Sequence, residues 1–260
     1  MDIIYGINAV AEALKARGRG FEYVGVVRER QDGRAQRLIE QCRQLGVPVR
    51  FLSRPELERL AHSSNHQGVV AIASEKKYSD LVSILSSRHS RHALVLVLDG
   101  IEDPQNLGAI IRTADAAGAD GVVIPERRAA GVSPAVVKAS AGAVEYLPIA
   151  RVTNIGRTLE ELKSSNIWTV GLDERATQLY DTLDYQMDCA LVLGAEGKGL
   201  HELVRKKCDF LVSIPMTGKV ASLNVSAAAA VVLFEIARQR RKSASPSAIS
   251  STASSHKKEA

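Results

Sequence analysis

From residue 93 onward the chain alternates short, unbroken apolar runs with stretches of helical periodicity, and that rhythm leaves few folds open. The runs are Leu94–Leu98, Gly121–Ile124, Ile167–Gly171, Ala190–Leu193 and Phe210–Ile214. A strand with one wet face alternates apolar and polar residues, whereas a strand that is apolar throughout is covered on both sides. The helices between the runs supply those covers, along with the crossovers that parallel pairing needs. The pattern predicts an α/β unit with a parallel sheet over residues 93–242.

A smaller α/β unit precedes it over residues 1–75. Asn8–Arg17 has helical periodicity, with Val10, Ala13 and Leu14 on one side. Tyr23–Val27, Val47–Leu52 and Gly68–Ala73 read as strands, and a helix carrying Leu38, Ile39 and Leu45 separates the first two. Gly46 and Pro48 end that helix. Ser53-Arg-Pro-Glu opens a short one with a cap, an early proline and an acid. Residues 76–92 are polar and basic around one amphipathic turn and read as a linker. At the other end, 243–260 holds seven serines in eighteen residues, which predicts a disordered tail.

Composition narrows the function classes. No apolar run approaches the roughly eighteen residues of a membrane span. Met1-Asp-Ile-Ile-Tyr-Gly6 lacks the basic start and apolar block of a secretory signal, so a cytoplasmic location is expected. Cys42, Cys189 and Cys208 are odd in number and form no C-x-x-C pair, which fits reduced thiols. The net charge is +5, and residues 1–75 hold ten arginines against one lysine. Guanidinium groups suit phosphates and bases, so the bias permits an RNA partner, although solvated helix faces account for part of it.

Three stretches carry candidate chemistry. Leu191-Val-Leu-Gly-Ala-Glu-Gly-Lys-Gly-Leu200 fails the P-loop test because Lys198 is followed by Gly199. It also fails the Rossmann test, its glycines being 194, 197 and 199, late in the unit. What remains is a strand delivering backbone amides and Glu196 to the carboxyl edge of a parallel sheet, where ligands bind. The plain alternative is a tight turn with an acid at a helix start. Ile214-Pro-Met-Thr-Gly-Lys-Val-Ala-Ser-Leu-Asn-Val-Ser226 places Ser222 and Asn224 around the start of the last helix. One cap is enough, so the second polar residue is surplus. Asn106-Leu-Gly-Ala-Ile-Ile-Arg112 follows an Asp103-Pro104 helix start and sets a guanidinium among apolar neighbours. Arg112 lies about 9 Å of helix rise beyond Asn106 and leans back toward it; a structural ion pair with Glu102, Asp103 or Asp115 is the alternative. His62 and His66, one helical turn apart, read as a surface pair, and no set of metal ligands surrounds them.

Together the three stretches resemble the signature motifs of the SpoU/TrmH family of RNA ribose 2′-O-methyltransferases, over about residues 93–242. Tyr5-Gly-Ile-Asn-Ala-Val, Asn65-His-Gln-Gly-Val and Arg151-Val-Thr-Asn-Ile-Gly-Arg157 look like the branch that methylates guanosine ribose in 23S ribosomal RNA. The resemblance implies a C-terminal trefoil knot, a homodimer, an N-terminal RNA-binding domain and S-adenosylmethionine as methyl donor, with no metal. It places Asn106, Arg112, Glu196, Ser222 and Asn224 in the catalytic cluster, and Gly194, Ile214 and Leu223 at the cofactor. For Arg112 it leaves two roles open, proton acceptor or electrostatic stabiliser of the developing alkoxide; a guanidinium, which stays protonated in proteins, makes a poor acceptor. Methylation of a tRNA guanosine, or a non-catalytic part in ribosome assembly, are the rival readings.

Overall fold

The structure is a computed structural model that describes residues 1–243 other than 31, 89 and 221. The first unit runs β1 (Asp2–Tyr5), α1 (Ile7–Ala16), β2 (Phe21–Val27), α2 (Gly33–Gln44), β3 (Val49–Leu52), α3 (Arg54–Ala61) and β4 (Val69–Ala73). Its four strands are ordered β1-β4-β2-β3. β4 is antiparallel to both neighbours, and β2 runs parallel to β3. The expected cap of α3 is present as a capping box between Ser53 and Glu56.

The second unit continues with α4 (Leu81–Ser86), β5 (Leu94–Asp99), α5 (Pro104–Ala117), β6 (Gly121–Pro125), α6 (Pro134–Ala139), β7 (Ile149–Val152), α7 (Ile155–Ser164), β8 (Trp168–Leu172), β9 (Gln178–Leu179), β10 (Cys189–Gly194), α8 (Glu202–Lys207), β11 (Phe210–Ser213) and α9 (Val225–Ser243). Seven parallel strands are ordered β7-β6-β5-β10-β8-β11-β9. All six residues of β5 and of β10 are buried. Leu94, Leu96 and Leu98 pack with α5, α6 and α9, while Val95 and Val97 pack with α4, α7 and α8. Cover on both faces is the physical reason for the unbroken apolar runs.

The stretch expected to be a linker is built into this sheet. Ser79 bridges Ala150, and Ile84 of α4 is fully buried against the second face. Of the expected tail, Ser243 closes α9, and 244–260 lies outside the described residues.

The two units share one core, which α1 and β1 join to α6 and a short 3-10 turn at 143–145. A charge cluster is buried in the joint. Arg19 Nε donates to Glu145 Oε2 at 2.9 Å, its Nη2 lies 2.9 Å from Oε1, and its Nη1 donates to Asp2 Oδ2 at 2.5 Å. Its side chain is 0% exposed and that of Glu145 is 1%. The Tyr5 and Asn65 motifs meet beside this joint: Ile7 N–H donates to Gln67 Oε1 at 3.3 Å, and Lys138 of α6 donates to the Asn65 carbonyl at 2.8 Å. His66 is buried rather than on the surface, because its Nδ1 accepts the Gly68 N–H at 3.0 Å and draws the ring inward. Burial pushes its pKa down.

Candidate active site

Three segments deliver a ring of polar side chains to the carboxyl edge of the sheet. After β5, Asp103 caps α5 by accepting the Gln105 N–H at 3.0 Å, which sets Asn106 in the first turn. After β10 the chain doubles back, with Gly199 N–H donating to the Ala195 carbonyl at 2.8 Å. A Cβ on Gly194 would sit 2.0 Å from the Gly199 carbonyl carbon, so only glycine permits this fold-back, and the fold-back carries Glu196. Before α9, Asn224 is the cap. Its Oδ1 accepts from Ser226 N at 2.9 Å and Ser226 Oγ at 2.6 Å, and its carbonyl accepts from Ala228 N at 2.9 Å.

Capping uses the Asn224 oxygen and leaves Nδ2 to reach across the cleft. It donates to Asn106 Oδ1 at 2.9 Å and, at 3.4 Å, to Glu196 Oε1. Asn106 Nδ2 donates to Glu196 Oε2 at 3.0 Å. An ionised carboxylate only accepts, so both asparagines must turn their amide nitrogens to Glu196, and the ring closes in one sense.

The ring stands where two cavities meet. One, of about 320 Å³, is lined by Glu102, Asp103, Asn106, Arg128, Glu196, Lys198 and His201 among others. The other, of about 250 Å³, is lined by Leu172, Glu174, Gly194, Ser222, Leu223 and Ala228 and shares Ala195, Glu196, Lys198 and Val225 with the first. Ile214 lines an adjoining recess of about 80 Å³ with Leu172, Ser222 and Leu223. The three residues assigned to the cofactor thus gather around one place. Its apolar wall of Leu172, Leu223, Val225 and Ala228 suits a flat purine, and Glu174 suits sugar hydroxyls or a cationic group. S-adenosylmethionine has all of these parts, so the residues fit it.

Two expected members stand apart from the ring. Ser222 lines the second cavity. Arg112 is exposed on α5, and among the described residues it pairs with none of Glu102, Asp103 or Asp115. The reason is helical phase: six residues carry it roughly 240° around the axis from Asn106, more than its backward lean recovers. The inner face belongs to Leu107, Ile110, Ile111 and Ala114.

Two further acids carry no motif of their own in the sequence. Asp99 ends β5 and accepts the His201 N–H at 2.8 Å on Oδ2, while His201 Nδ1 lies 3.0 Å from Oδ1. Asp173 follows β8 and binds Arg175 through both oxygens at 3.0 and 2.8 Å, as well as Arg205 Nε at 3.0 Å. The hydrogen bond from Arg175 leads in holding its carboxyl below the usual range, against the cost of burial. The available signal was position, since each acid closes an apolar run at the ligand-binding edge.

A family model described as the SpoU rRNA Methylase family matches residues 93–234. The chain belongs to this family. A second model, described as the substrate-binding domain of RNA 2′-O ribose methyltransferases, matches residues 3–79. The 23S rRNA (guanosine-2′-O-)-methyltransferase RlmB of Coxiella burnetii is 45% identical, over 91% of this chain and 95% of its own. The same enzyme of Haemophilus influenzae is also 45% identical, over 91% and 97%. Among solved structures, the SpoU methyltransferase AviRb of Streptomyces viridochromogenes, in complex with the cofactor AdoMet, superposes with a TM-score of 0.77 at 30% identity, covering 92% of this chain and 90% of that one. SpoU family membership makes the protein an S-adenosylmethionine-dependent RNA 2′-O-ribose methyltransferase.

Proposed function

We propose that the protein methylates the ribose 2′-hydroxyl of a guanosine in 23S ribosomal RNA, as a cytoplasmic homodimer with a C-terminal trefoil knot. The observation that carries the site assignment is the closed Asn106–Glu196–Asn224 ring at the meeting of the two cavities. The target RNA is supported by the relatives at 45% identity, which are guanosine 2′-O-methyltransferases of 23S rRNA over nearly the whole length. Among the described residues no helix is long and apolar enough to cross a membrane.

S-adenosylmethionine supplies a methyl group on a sulfonium, which leaves as a neutral thioether and so needs no acid. The protein's own contribution is to position the ribose and to manage its proton. Gly194 and Leu223 hold the donor in the second cavity, and Ile214 meets it from the adjoining recess. Asn106 and Asn224 fix the Glu196 carboxylate at the junction, where its remaining lone pairs accept a hydrogen bond from the 2′-hydroxyl, orient its oxygen and take up its proton as the oxygen–carbon bond forms. Ser222 stands on the donor side and directs the ribose from there.

Arg112 completes the site from a paired copy. It is exposed on α5, the helix packed beside α9, and α9 leaves Phe234 half exposed. Pairing these helices would cover the apolar residue and bring Arg112 to the other copy's cleft, where its fixed charge stabilises the developing alkoxide.

Transfer of labelled methyl from S-adenosylmethionine to unmethylated 23S rRNA by the purified full-length protein tests the reading. Label on one guanosine 2′-oxygen is expected. Label on tRNA alone would replace the substrate, and no label on either RNA would leave a binding protein.

A further inference from the structure

The wall of the first cavity away from the Asn106–Glu196–Asn224 ring has no part in the transfer chemistry. Three nitrogen-bearing side chains reach it: Arg128 from the loop after β6, and Lys198 and His201 from the loop after β10. Arg128 and Lys198 are exposed, and among the described residues neither cation has a hydrogen bond or ion pair with another side chain. Cations left without partners in a concave site are available to an anion.

Their loops are held in place. Arg128 has φ +55°, a backbone conformation that side chains bearing a Cβ rarely adopt. The segment around it is tied to the strand edge, with Ala130 N–H donating to the Ile101 carbonyl at 2.8 Å. The turn beneath is Gly100, at φ +83°.

His201 differs from the two cations. Asp99, whose side chain is 7% exposed, holds it at both the backbone N–H and Nδ1, yet the histidine side chain is 62% exposed. Its Cε1 would lie 3.4 Å from a Cβ on Gly100, so the ring rests on the turn. The result is a flat ring fixed at one edge and open to solvent. Rigid exposed rings of this kind serve as stacking platforms for unpaired bases.

We propose that this wall receives the target nucleotide, with Arg128 and Lys198 gripping a backbone phosphate and His201, held by Asp99, stacking on a base. This rests on the RNA methyltransferase reading above and names the residues that hold the nucleotide for it. Asp103 is occupied in capping α5 and Glu196 in the ring, so Glu102 is the acid left facing the cations. Its free carboxylate suits the N–H edge of a guanine better than a phosphate.

The test uses the full-length protein and a short guanosine-containing RNA hairpin, with affinity measured against salt concentration. Arg128→Gln should weaken RNA binding about tenfold and lower the slope of log affinity against log salt by about 0.7 to 1, as should Lys198→Gln. His201→Ala should also lose about tenfold, with the slope unchanged, and His201→Phe should restore most of that loss. Arg128 and His201 do not line the second cavity, so calorimetric S-adenosylmethionine affinity should stay within about twofold in their variants, which also reports folding. Unchanged RNA affinity and slope in the Arg128 and His201 variants, with the wild type still transferring methyl, would overturn this inference alone. His201→Phe as weak as His201→Ala would overturn the stacking role. A wild type that binds donor and hairpin yet methylates no RNA would instead sink the functional reading on which the inference stands.

Discussion

In the joint between the two units, the side chain of Arg19 is fully buried and holds two carboxylates; at the cleft, Arg128 keeps its exposure and holds none. Both are arginines in loops beside a sheet, and the difference follows from desolvation. A charge taken out of water costs several kcal/mol unless opposite charge and hydrogen bonds meet it completely. Arg19 is met by Glu145 and Asp2 and is thereby fixed as structure. A charge meant for a substrate must stay reachable, as Arg128 is. The Asn106–Glu196–Asn224 ring lies between these limits, internally satisfied yet open to both cavities.

The sharpest way to break this contrast is to remove a partner in the joint. Glu145→Ala leaves Arg19 buried with only Asp2 and the Ser74 carbonyl and should cost about 3–5 kcal/mol in denaturant unfolding. Arg19→Met combined with Glu145→Leu should recover most of it, and S-adenosylmethionine affinity in native conditions should hardly change for either. Glu196→Ala should do the opposite: single-turnover methyl transfer falls by about 10²-fold, near 3 kcal/mol, while unfolding shifts by less than about 1 kcal/mol. If Glu196→Ala unfolds the protein as Glu145→Ala does, the ring is structural after all.

Two smaller effects sharpen the picture of the donor side. Gly194→Ala must push the 195–199 fold-back away, since the added carbon would meet the Gly199 backbone at 2.0 Å. Calorimetry should show donor affinity down by about tenfold or more, about 1.4 kcal/mol. Asp173 has its carboxyl pKa lowered by Arg175, so its contribution to stability is full above the ordinary value of 3.8 and is lost as pH falls below that, through the lowered native value. Asp173→Asn should be less stable than wild type at neutral pH. The gap should narrow as the pH drops from about 4 to 2; a gap that widened toward acid would contradict the sign.

How much the sequence disclosed depended on how local the cause was. Continuous apolar runs marked β5, β6, β8, β10 and β11 because cover on both faces leaves its trace along the strand, most completely in β5 and β10. The caps at Ser53 and Asp103 were equally legible. β1, by contrast, is four residues long and owes its existence to pairing with β4 some seventy residues on, and β9 is a two-residue edge strand. Arg19 looked like any other arginine of the first unit because the carboxylate that buries it lies 126 residues away. Asn106, Glu196 and Asn224 were joined by family resemblance, not by spacing. Helical phase was in plain view for Arg112 and still misled, since apolar neighbours in sequence are not neighbours on one face of a helix.

The destination of the methyl group decides between these readings. Ribose 2′-O-methylation mapped across total RNA from cells with and without this gene tests it in one measurement. The prediction is the loss of methyl from one guanosine ribose in 23S rRNA, restored by the wild-type gene and not by Glu196→Ala. An unchanged 23S rRNA, or a loss confined to tRNA, would contradict it.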